Sequence, residues 1–278
     1  MENRDAHARL IDEIRDIWDA KAAFWDERMG EGNQFQLELI GPAVERLLAV
    51  RPGERMLDVG CGNGVVSRRL AHLGARVVAV DHSPRFLELA RARSRDVANR
   101  IDYRLADATD EDQLLALGEG QYDALVCAMV LMDIPVIDPL LRAAVRLLTP
   151  GGRFVFAIQH PAFNSNAVSL CAETETRSDG QEVTRHAVKL SHYLSVPAGK
   201  GTGMPGDPEA HWYFHRPLHE LFTACFQAGF VLDGLEEPAL ATMNSNQHEL
   251  SWSNLPGVPP VLVARLVPRR GMAAPAGA

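Results

Sequence analysis

The chain has 278 residues, of which 46% are hydrophobic and 23% charged, a balance typical of a globular protein with one large α/β domain or two small ones. Its 28 Lys and Arg against 36 Asp and Glu give a net charge of −8, which provides no long-range attraction to phosphate backbones and disfavours a nucleic-acid partner. No apolar run approaches the roughly 18 residues of a membrane-spanning helix, and the charged first thirty residues do not resemble a secretory signal. We therefore expect a cytoplasmic protein with no membrane partner, whose four cysteines are free thiols.

Two helices are predicted before any strand. The segment from Glu2 to Glu31 is charged but carries apolar residues at helical spacing, and Gln34 to Val50 repeats that spacing. The sequence Arg51-Pro52-Gly53-Glu54 then ends the second helix. We expect residues 1–50 to form a helical cap.

Apolar strands alternate with amphipathic helices from Arg55 onwards. The predicted strands cover residues 55–59, 76–80, 101–105, 124–130 and 153–158. The predicted helices cover residues 64–73, 84–95 and 139–148. Alternation of this kind indicates right-handed βαβ units and a mostly parallel sheet, so residues 51–160 are predicted to form the core.

The alternation stops at about Pro161, and the stretch to His211 is polar and rich in glycine near its end. We interpret residues 161–211 as a lid inserted over the functional site. A helix over 217–228 and strands over 230–235 and 261–267 are predicted to complete the core, within residues 212–267. The tail, residues 268–278, is rich in Pro, Ala and Gly and is expected to be flexible.

The strongest functional signal is the sequence Leu57-Asp58-Val59-Gly60-Cys61-Gly62-Asn63-Gly64, which ends the first strand and opens a helix. Glycines let the backbone approach a ligand, and the helix N-terminus directs free N–H groups and a positive dipole end at it. A dinucleotide pyrophosphate or an amino-acid carboxylate would suit this place equally well. A dinucleotide fingerprint has its third glycine three residues after the second, where this chain has Val65, and this counts against a nicotinamide cofactor.

Asp81 ends the second predicted strand, twenty-one residues after Gly60. An acidic side chain at that position binds the ribose hydroxyls in doubly wound nucleotide-binding folds. Asp81 could also cap the helix that starts near Ser83, and the two roles are compatible.

The Asp58–Gly64 sequence closely resembles the first motif of class I S-adenosylmethionine-dependent methyltransferases. Three later segments extend the resemblance over roughly residues 57–158: Leu105-Ala106-Asp107-Ala108, Tyr122 to Val130, and Leu148 to Phe154. The resemblance implies an α/β fold with a Rossmann-like, seven-stranded, mostly parallel sheet in the order 3-2-1-4-5-7-6, helices on both faces and a small cap. It also implies S-adenosylmethionine as cofactor and S-adenosylhomocysteine as product.

In that family the first loop holds the methionine half of the cofactor, and the acidic residue that matches Asp81 holds the ribose. Carried over, Asp107 would accept a hydrogen bond from the adenine amino group, and the Ala108 amide would meet a ring nitrogen. Trp18, Phe24 and Trp25 could close over the cofactor or anchor the first helix to the core. The expected cofactor-binding residues are Asp58, Gly60, Cys61, Gly62, Asn63, Asp81, His82, Asp107, Ala108 and Cys127.

A hydroxyl or carbon acceptor would also need a base to remove its proton. The first candidate is His160, directly after the fifth strand, where open α/β sheets place their ligands, although a bond to the backbone would explain it equally well. Tyr213 and His215 are further candidates. His211, His215 and His219 are spaced four apart, as metal ligands on a helix can be, but a helix starting at Pro217 would exclude His211, so no metal is expected.

The expected function is methyl transfer from S-adenosylmethionine to an oxygen or nitrogen of a small-molecule metabolite. Two alternatives stay open: an NAD-dependent oxidoreductase with a degenerate glycine loop, and a cofactor-binding protein without transfer activity. A homodimer is expected only because most oligomers are dimers.

Overall fold

The computed structural model describes residues 2–241 and 250–269. Its strands are, in chain order, β1 Arg55–Val59, β2 Arg76–Asp81, β3 Ile101–Leu105, β4 Tyr122–Ala128, β5 Leu148–Gln159, β6 Val168–Thr176, β7 Glu182–Leu190, β8 Gly199–Gly201, β9 His211–Tyr213, β10 Phe230–Glu236 and β11 Val261–Pro268. Its α-helices are α1 Glu2–Met29, α2 Gly41–Leu48, α3 Val65–His72, α4 Pro84–Arg93, α5 Glu111–Leu115, α6 Asp138–Leu147 and α7 Leu218–Gln227.

Seven of the described strands form the central sheet in the order β3-β2-β1-β4-β5-β11-β10. The five strands from β3 to β5 are parallel, whereas β11 runs antiparallel to both β5 and β10. With β10 and β11 as the sixth and seventh strands of the sheet, the predicted order 3-2-1-4-5-7-6 is confirmed. The central strands are apolar on both sides because each face of the sheet is covered.

The two faces of the sheet carry separate apolar layers. On one face, the buried side chains of α5, α6 and α7 pack on the sheet, among them Leu114, Leu141 and Leu221. On the other face α2, α3 and α4 supply Leu48, Leu70 and Leu87, among others. The prediction of helices on both faces is confirmed.

Some local predictions were wrong. The segment predicted as one helix from Gln34 to Val50 begins with a π-helix, Phe35–Ile40, and only then becomes α2. Helix α5 was not predicted, because a five-residue helix is too short to show a helical period. The Asp110 side chain caps α5 by accepting a hydrogen bond from the Gln113 N–H.

The polar segment after β5 contains more regular structure than its sequence indicated. Strands β6 and β7 form an antiparallel hairpin, from the pair Val168↔Leu190 to the pair Thr176↔Glu182, and β8 pairs with β9. Most side chains of the hairpin are exposed on both faces, so the apolar alternation that predicts a half-buried strand is missing.

The ends of the chain follow the predictions only in part. Helix α1 confirms the first predicted helix, and none of the helices in the described residues combines the length and apolar character needed to cross a membrane. The predicted flexible tail starts too early, since Pro268 still belongs to β11. The rest of that prediction, residues 270–278, lies outside the described residues.

Candidate functional site

A cavity of about 610 Å³ opens at the carboxyl ends of β1, β2 and β4, a volume typical of small-molecule sites. Helix α1 and the segment from Gly201 to Tyr213 cover it. The predicted residues that line it are Asp58, Gly60, Cys61, Gly62, Asn63, Asp81, His82, Ala108 and Tyr213, together with Trp18 and Trp25.

The loop between β1 and α3 is shaped by its glycines. Gly64 has a φ of +80°, and a Cβ atom added there would lie 2.3 Å from the Tyr103 hydroxyl, so only glycine fits against β3. Gly62 has a φ of +52°, but a Cβ added there would meet no atom within 4 Å. Gly62 therefore leaves the backbone uncovered toward the cavity, where a ligand can approach it closely.

Asp81 joins this loop to the start of α4. One of its carboxylate oxygens accepts a hydrogen bond from the Gly62 N–H at 2.8 Å, and the other accepts one from the Ser83 N–H at 2.9 Å. Ser83 itself caps the helix, because its hydroxyl accepts a hydrogen bond from the Phe86 N–H. Asp81 lines the cavity at the end of its strand, at the position that binds a ribose in nucleotide folds.

Asp58 is the most deeply buried acid beside the loop. Burial raises the pKa of Asp58 to about 7; the Ser67 hydroxyl, which donates a hydrogen bond of 2.5 Å, opposes this shift, and the charge of Asp81 adds to it. A cationic ligand group in the cavity would favour the ionised form of Asp58.

Two predicted cofactor contacts do not line the cavity. The Asp107 carboxylate closes a turn by accepting hydrogen bonds from both the N–H and the hydroxyl of Thr109, while its neighbours Ala106 and Ala108 line the cavity. Cys127 is fully buried in the apolar layer. The next residue of the strand, Ala128, lines the cavity, and the Cys127 side chain points to the opposite face of the sheet.

Two of the three candidate bases also lie outside the cavity. His160 donates from Nε2 to Glu237 at 2.8 Å and accepts the Ala162 N–H on Nδ1, so its ring is held in a structural bond at the strand end. Its pKa is lowered by burial, against the effect of Glu237. His215 bonds the Tyr193 carbonyl oxygen at 2.7 Å and lines a neighbouring recess of about 40 Å³.

The structure adds a buried cluster that the sequence analysis missed. The Lys21 ammonium donates to an Asp207 carboxylate oxygen at 2.7 Å, to the Glu209 carbonyl at 2.9 Å and to His211 Nδ1 at 2.7 Å. The side chains of Lys21 and Asp207 are both fully buried, and His211 lines the cavity. A lysine within the apolar stripe of α1, seven residues after Ile14 and four before Trp25, is the signal that could have revealed this cluster.

A second missed residue is Asp133, in the turn after β4. The residue lines the cavity and is only 8% exposed. Its Oδ1 atom is buried and has no hydrogen-bond partner within the described part of the chain. No sequence pattern pointed to it, since an acid in an Asp-Ile-Pro turn is ordinary turn chemistry.

The three spaced histidines do not converge. His211 faces the cavity, His215 bonds Tyr193, and His219 is exposed. Residues 2–241 and 250–269 contain no group of three or more His, Cys, Asp or Glu side chains that could hold a metal.

Comparisons with known proteins agree with this geometry. Residues 57–156 match a family described as a methyltransferase domain. A ubiquinone biosynthesis O-methyltransferase from Xanthomonas campestris pv. campestris (strain B100) is 39% identical over 134 residues, covering 46% of this chain and 53% of that protein. A protein of the same name from Xanthomonas axonopodis pv. citri (strain 306) is 34% identical over 158 residues, covering 54% and 64%. The chain thus spans about half the length of the first of these curated relatives.

A solved S-adenosylmethionine-dependent methyltransferase from Mesorhizobium loti is 25% identical, with a TM-score of 0.59, over 81% of this chain and 95% of that one. The sheet order and the glycine loop define a Rossmann-like domain with a ligand cavity at its strand ends. The match over residues 57–156 identifies a methyltransferase domain in that part of the chain, and the fold is similar to that of an S-adenosylmethionine-dependent methyltransferase.

Proposed function

We propose that this protein transfers a methyl group from S-adenosylmethionine to an oxygen or nitrogen of a small molecule held in the same cavity. The observation that carries the proposal is the continuity of the cavity. It runs from the loop at Gly60 and Gly62, past Asp81, to Asp133 and Tyr213 under the 201–213 segment.

The residues at the strand ends fit the cofactor. The uncovered backbone at Gly62 and the N-terminus of α3 would hold the methionine carboxylate, and Asp81 would accept hydrogen bonds from the ribose hydroxyls. Ala106 and Ala108 leave an apolar wall for the adenine. Asp58, with its raised pKa, would be stabilised as a carboxylate by the cationic groups of this ligand.

The bound cofactor would supply an electrophilic methyl group. The protein would orient the reacting groups and exclude water from them. Trp18, Trp25 and Tyr213 line the cavity and would keep water from the reacting atoms while they hold an acceptor in line with the methyl group. We assign the cover of the acceptor end to residues 201–211 within the inserted segment.

Oxygen is the favoured acceptor atom. The curated relatives are named O-methyltransferases. Asp133 in the cavity wall has a carboxyl oxygen with no hydrogen-bond partner among the described residues, and this group could take the proton of a hydroxyl.

The test is a calorimetric titration of the purified protein with S-adenosylhomocysteine, with NAD titrated in parallel. We expect S-adenosylhomocysteine to bind and NAD not to bind, because Val65 replaces the third glycine of the dinucleotide fingerprint. Binding of NAD alone would make the protein an oxidoreductase. A protein that binds S-adenosylhomocysteine but methylates no phenol or amine of an acceptor panel would be a cofactor-binding protein without transfer activity.

A further inference from the structure

Asp133 places a buried carboxyl oxygen with no hydrogen-bond partner among the described residues in the cavity wall. The turn that carries it is closed by a hydrogen bond from the Asp133 N–H to the Val130 carbonyl at 2.8 Å. The residue is more than nine-tenths buried, yet the buried Oδ1 atom accepts no hydrogen bond from the described residues. Buried carboxyl oxygens are normally satisfied, so this atom points to a donor that comes with a ligand.

The Lys21 ammonium does not fill that place. Lys21 on α1 attracts its charge, but the three N–H bonds of that ammonium go to Asp207, Glu209 and His211. Tyr213 on β9 and Cys127 on β4 are close enough for the Asp133 charge to raise their pKa values, in addition to the larger effect of burial. Burial in turn raises the pKa of Asp133, against the attraction of Lys21.

His211 is unsuited to be the base of this cavity. Its Nδ1 accepts the hydrogen bond of the Lys21 ammonium, so a neutral ring carries its proton on Nε2 and has no free lone pair. Burial and the nearby Lys21 charge lower the pKa of His211 to about 3, against the attraction of Asp207. His211 is therefore a neutral hydrogen-bond donor.

We propose that Asp133 binds the hydroxyl group of the methyl acceptor and takes its proton as the oxygen attacks the methyl group. This proposal rests on the proposed function and names the acceptor class, a phenol or other hydroxyl compound. An alkyl amine would reach Asp133 as an ammonium ion with no lone pair for attack, whereas a hydroxyl keeps its lone pairs while it donates its proton.

The step is balanced in atoms and charge. The acceptor O–H bond breaks and its proton goes to the Asp133 carboxylate, while an O–CH₃ bond forms and the S–CH₃ bond breaks. One negative and one positive charge disappear together, as the carboxylate becomes a carboxylic acid and the sulfonium becomes a neutral thioether. Loss of both charges is favourable in a cavity with little water.

The experiment compares wild type with Asp133→Asn and the surface control Asp112→Asn, an exposed residue of α5. S-adenosylhomocysteine is titrated first, and equal affinity for all three proteins is expected. Catechol and 4-hydroxybenzoate are then titrated into the S-adenosylhomocysteine complexes. We expect Asp133→Asn to weaken binding about tenfold through loss of the charged acceptor, and to lower the methylation rate about 100-fold or more.

The pH profile separates a base from a structural group. Because the pKa of Asp133 is raised, the wild-type rate should increase with pH above the ordinary aspartate range as the carboxyl group ionises. Asp133→Asn should remove this increase, and Tyr213→Phe, which alters a group facing the same carboxyl, should keep it.

The proposal is overturned if Asp133→Asn binds and methylates these phenols like wild type. It is also overturned if the wild-type complex binds neither phenol, or if the methylation rate of the wild-type protein does not increase with pH. A wild-type protein that fails to bind S-adenosylhomocysteine would instead refute the proposed function.

Discussion

Asp81 shows how one side chain can shape a loop and face a ligand at once. Its two oxygens accept backbone N–H groups from the glycine loop and from the start of α4, yet it lines the cavity. Each carboxylate oxygen has two lone pairs, so these bonds leave capacity for ribose hydroxyls.

Asp81→Ala is expected to weaken the binding of S-adenosylhomocysteine about 10- to 100-fold, which corresponds to the loss of hydrogen bonds to a charged acceptor. Calorimetry measures this directly. Asp102→Ala, on the exposed side of the neighbouring β3, is the matched control and should bind normally. Unchanged affinity of Asp81→Ala would remove Asp81 from the ligand site.

At the scale of elements, α1 is part of the site because hydrogen bonds and ion pairs attach it at both ends of the cavity. The Asn63 amide of the glycine loop donates to Asp26 and to the Gly30 carbonyl, and Arg93 of α4 pairs with Asp26 as well. Lys21 joins the same helix to the segment before β9. The helix thus holds the loop and the 201–213 cover in one arrangement.

Lys21→Met is expected to destabilise the protein by about 3–5 kcal/mol near neutral pH, because it leaves the Asp207 carboxylate buried without its partner. Burial raises the pKa of Asp207, but the bonds from Lys21 and Gly203 outweigh this and hold it below its ordinary value in wild type. Its ionised form therefore stabilises the fold above the unfolded pKa, and this stability is lost as pH falls. The destabilisation should shrink in acid, where Asp207 takes up a proton.

Urea unfolding at several pH values measures this effect. Arg146→Met, which breaks an exposed pair with Glu119, is the control and should change stability little. Equal destabilisation by Lys21→Met at neutral and acidic pH would show that the ion pair is not its cause.

At the scale of the whole molecule, the β6–β7 hairpin stands apart from the central sheet. The two strands pair only with each other among the described strands, and the cavity lining contains no residue between 168 and 190. The parts of the 161–211 insertion that line the cavity are residues 164–166, residues 201–205 and His211.

Replacement of residues 172–186 by the turn sequence Asn-Gly joins the paired positions Cys171 and Ala187. We expect the affinity for S-adenosylhomocysteine to stay the same and the unfolding temperature to stay within about 2 °C, because exposed residues contribute little to stability. Replacement of Gly203 to Pro205, which line the cavity, by a Gly-Gly linker should instead weaken binding. Reduced affinity of the hairpin variant would show that the hairpin reaches the site.

The sequence by itself determined the strands of the sheet, the position of the glycine loop and the position of Asp81 at the end of β2. These features are local: strands and helices show their own periods, and a ligand loop needs particular backbone conformations at consecutive residues. The order of the strands followed from the resemblance carried by those same segments.

Only the tertiary structure decided which distant side chains meet. Lys21 and Asp207 are 186 residues apart. The local sequence around either residue contains no information about the other. The same limit explains His160, which stands at the expected strand end but turns to Glu237, whereas Asp133, in an ordinary turn, faces the cavity. Periodicity shows that a residue is buried, but the partner it meets depends on how remote segments pack over the strand ends.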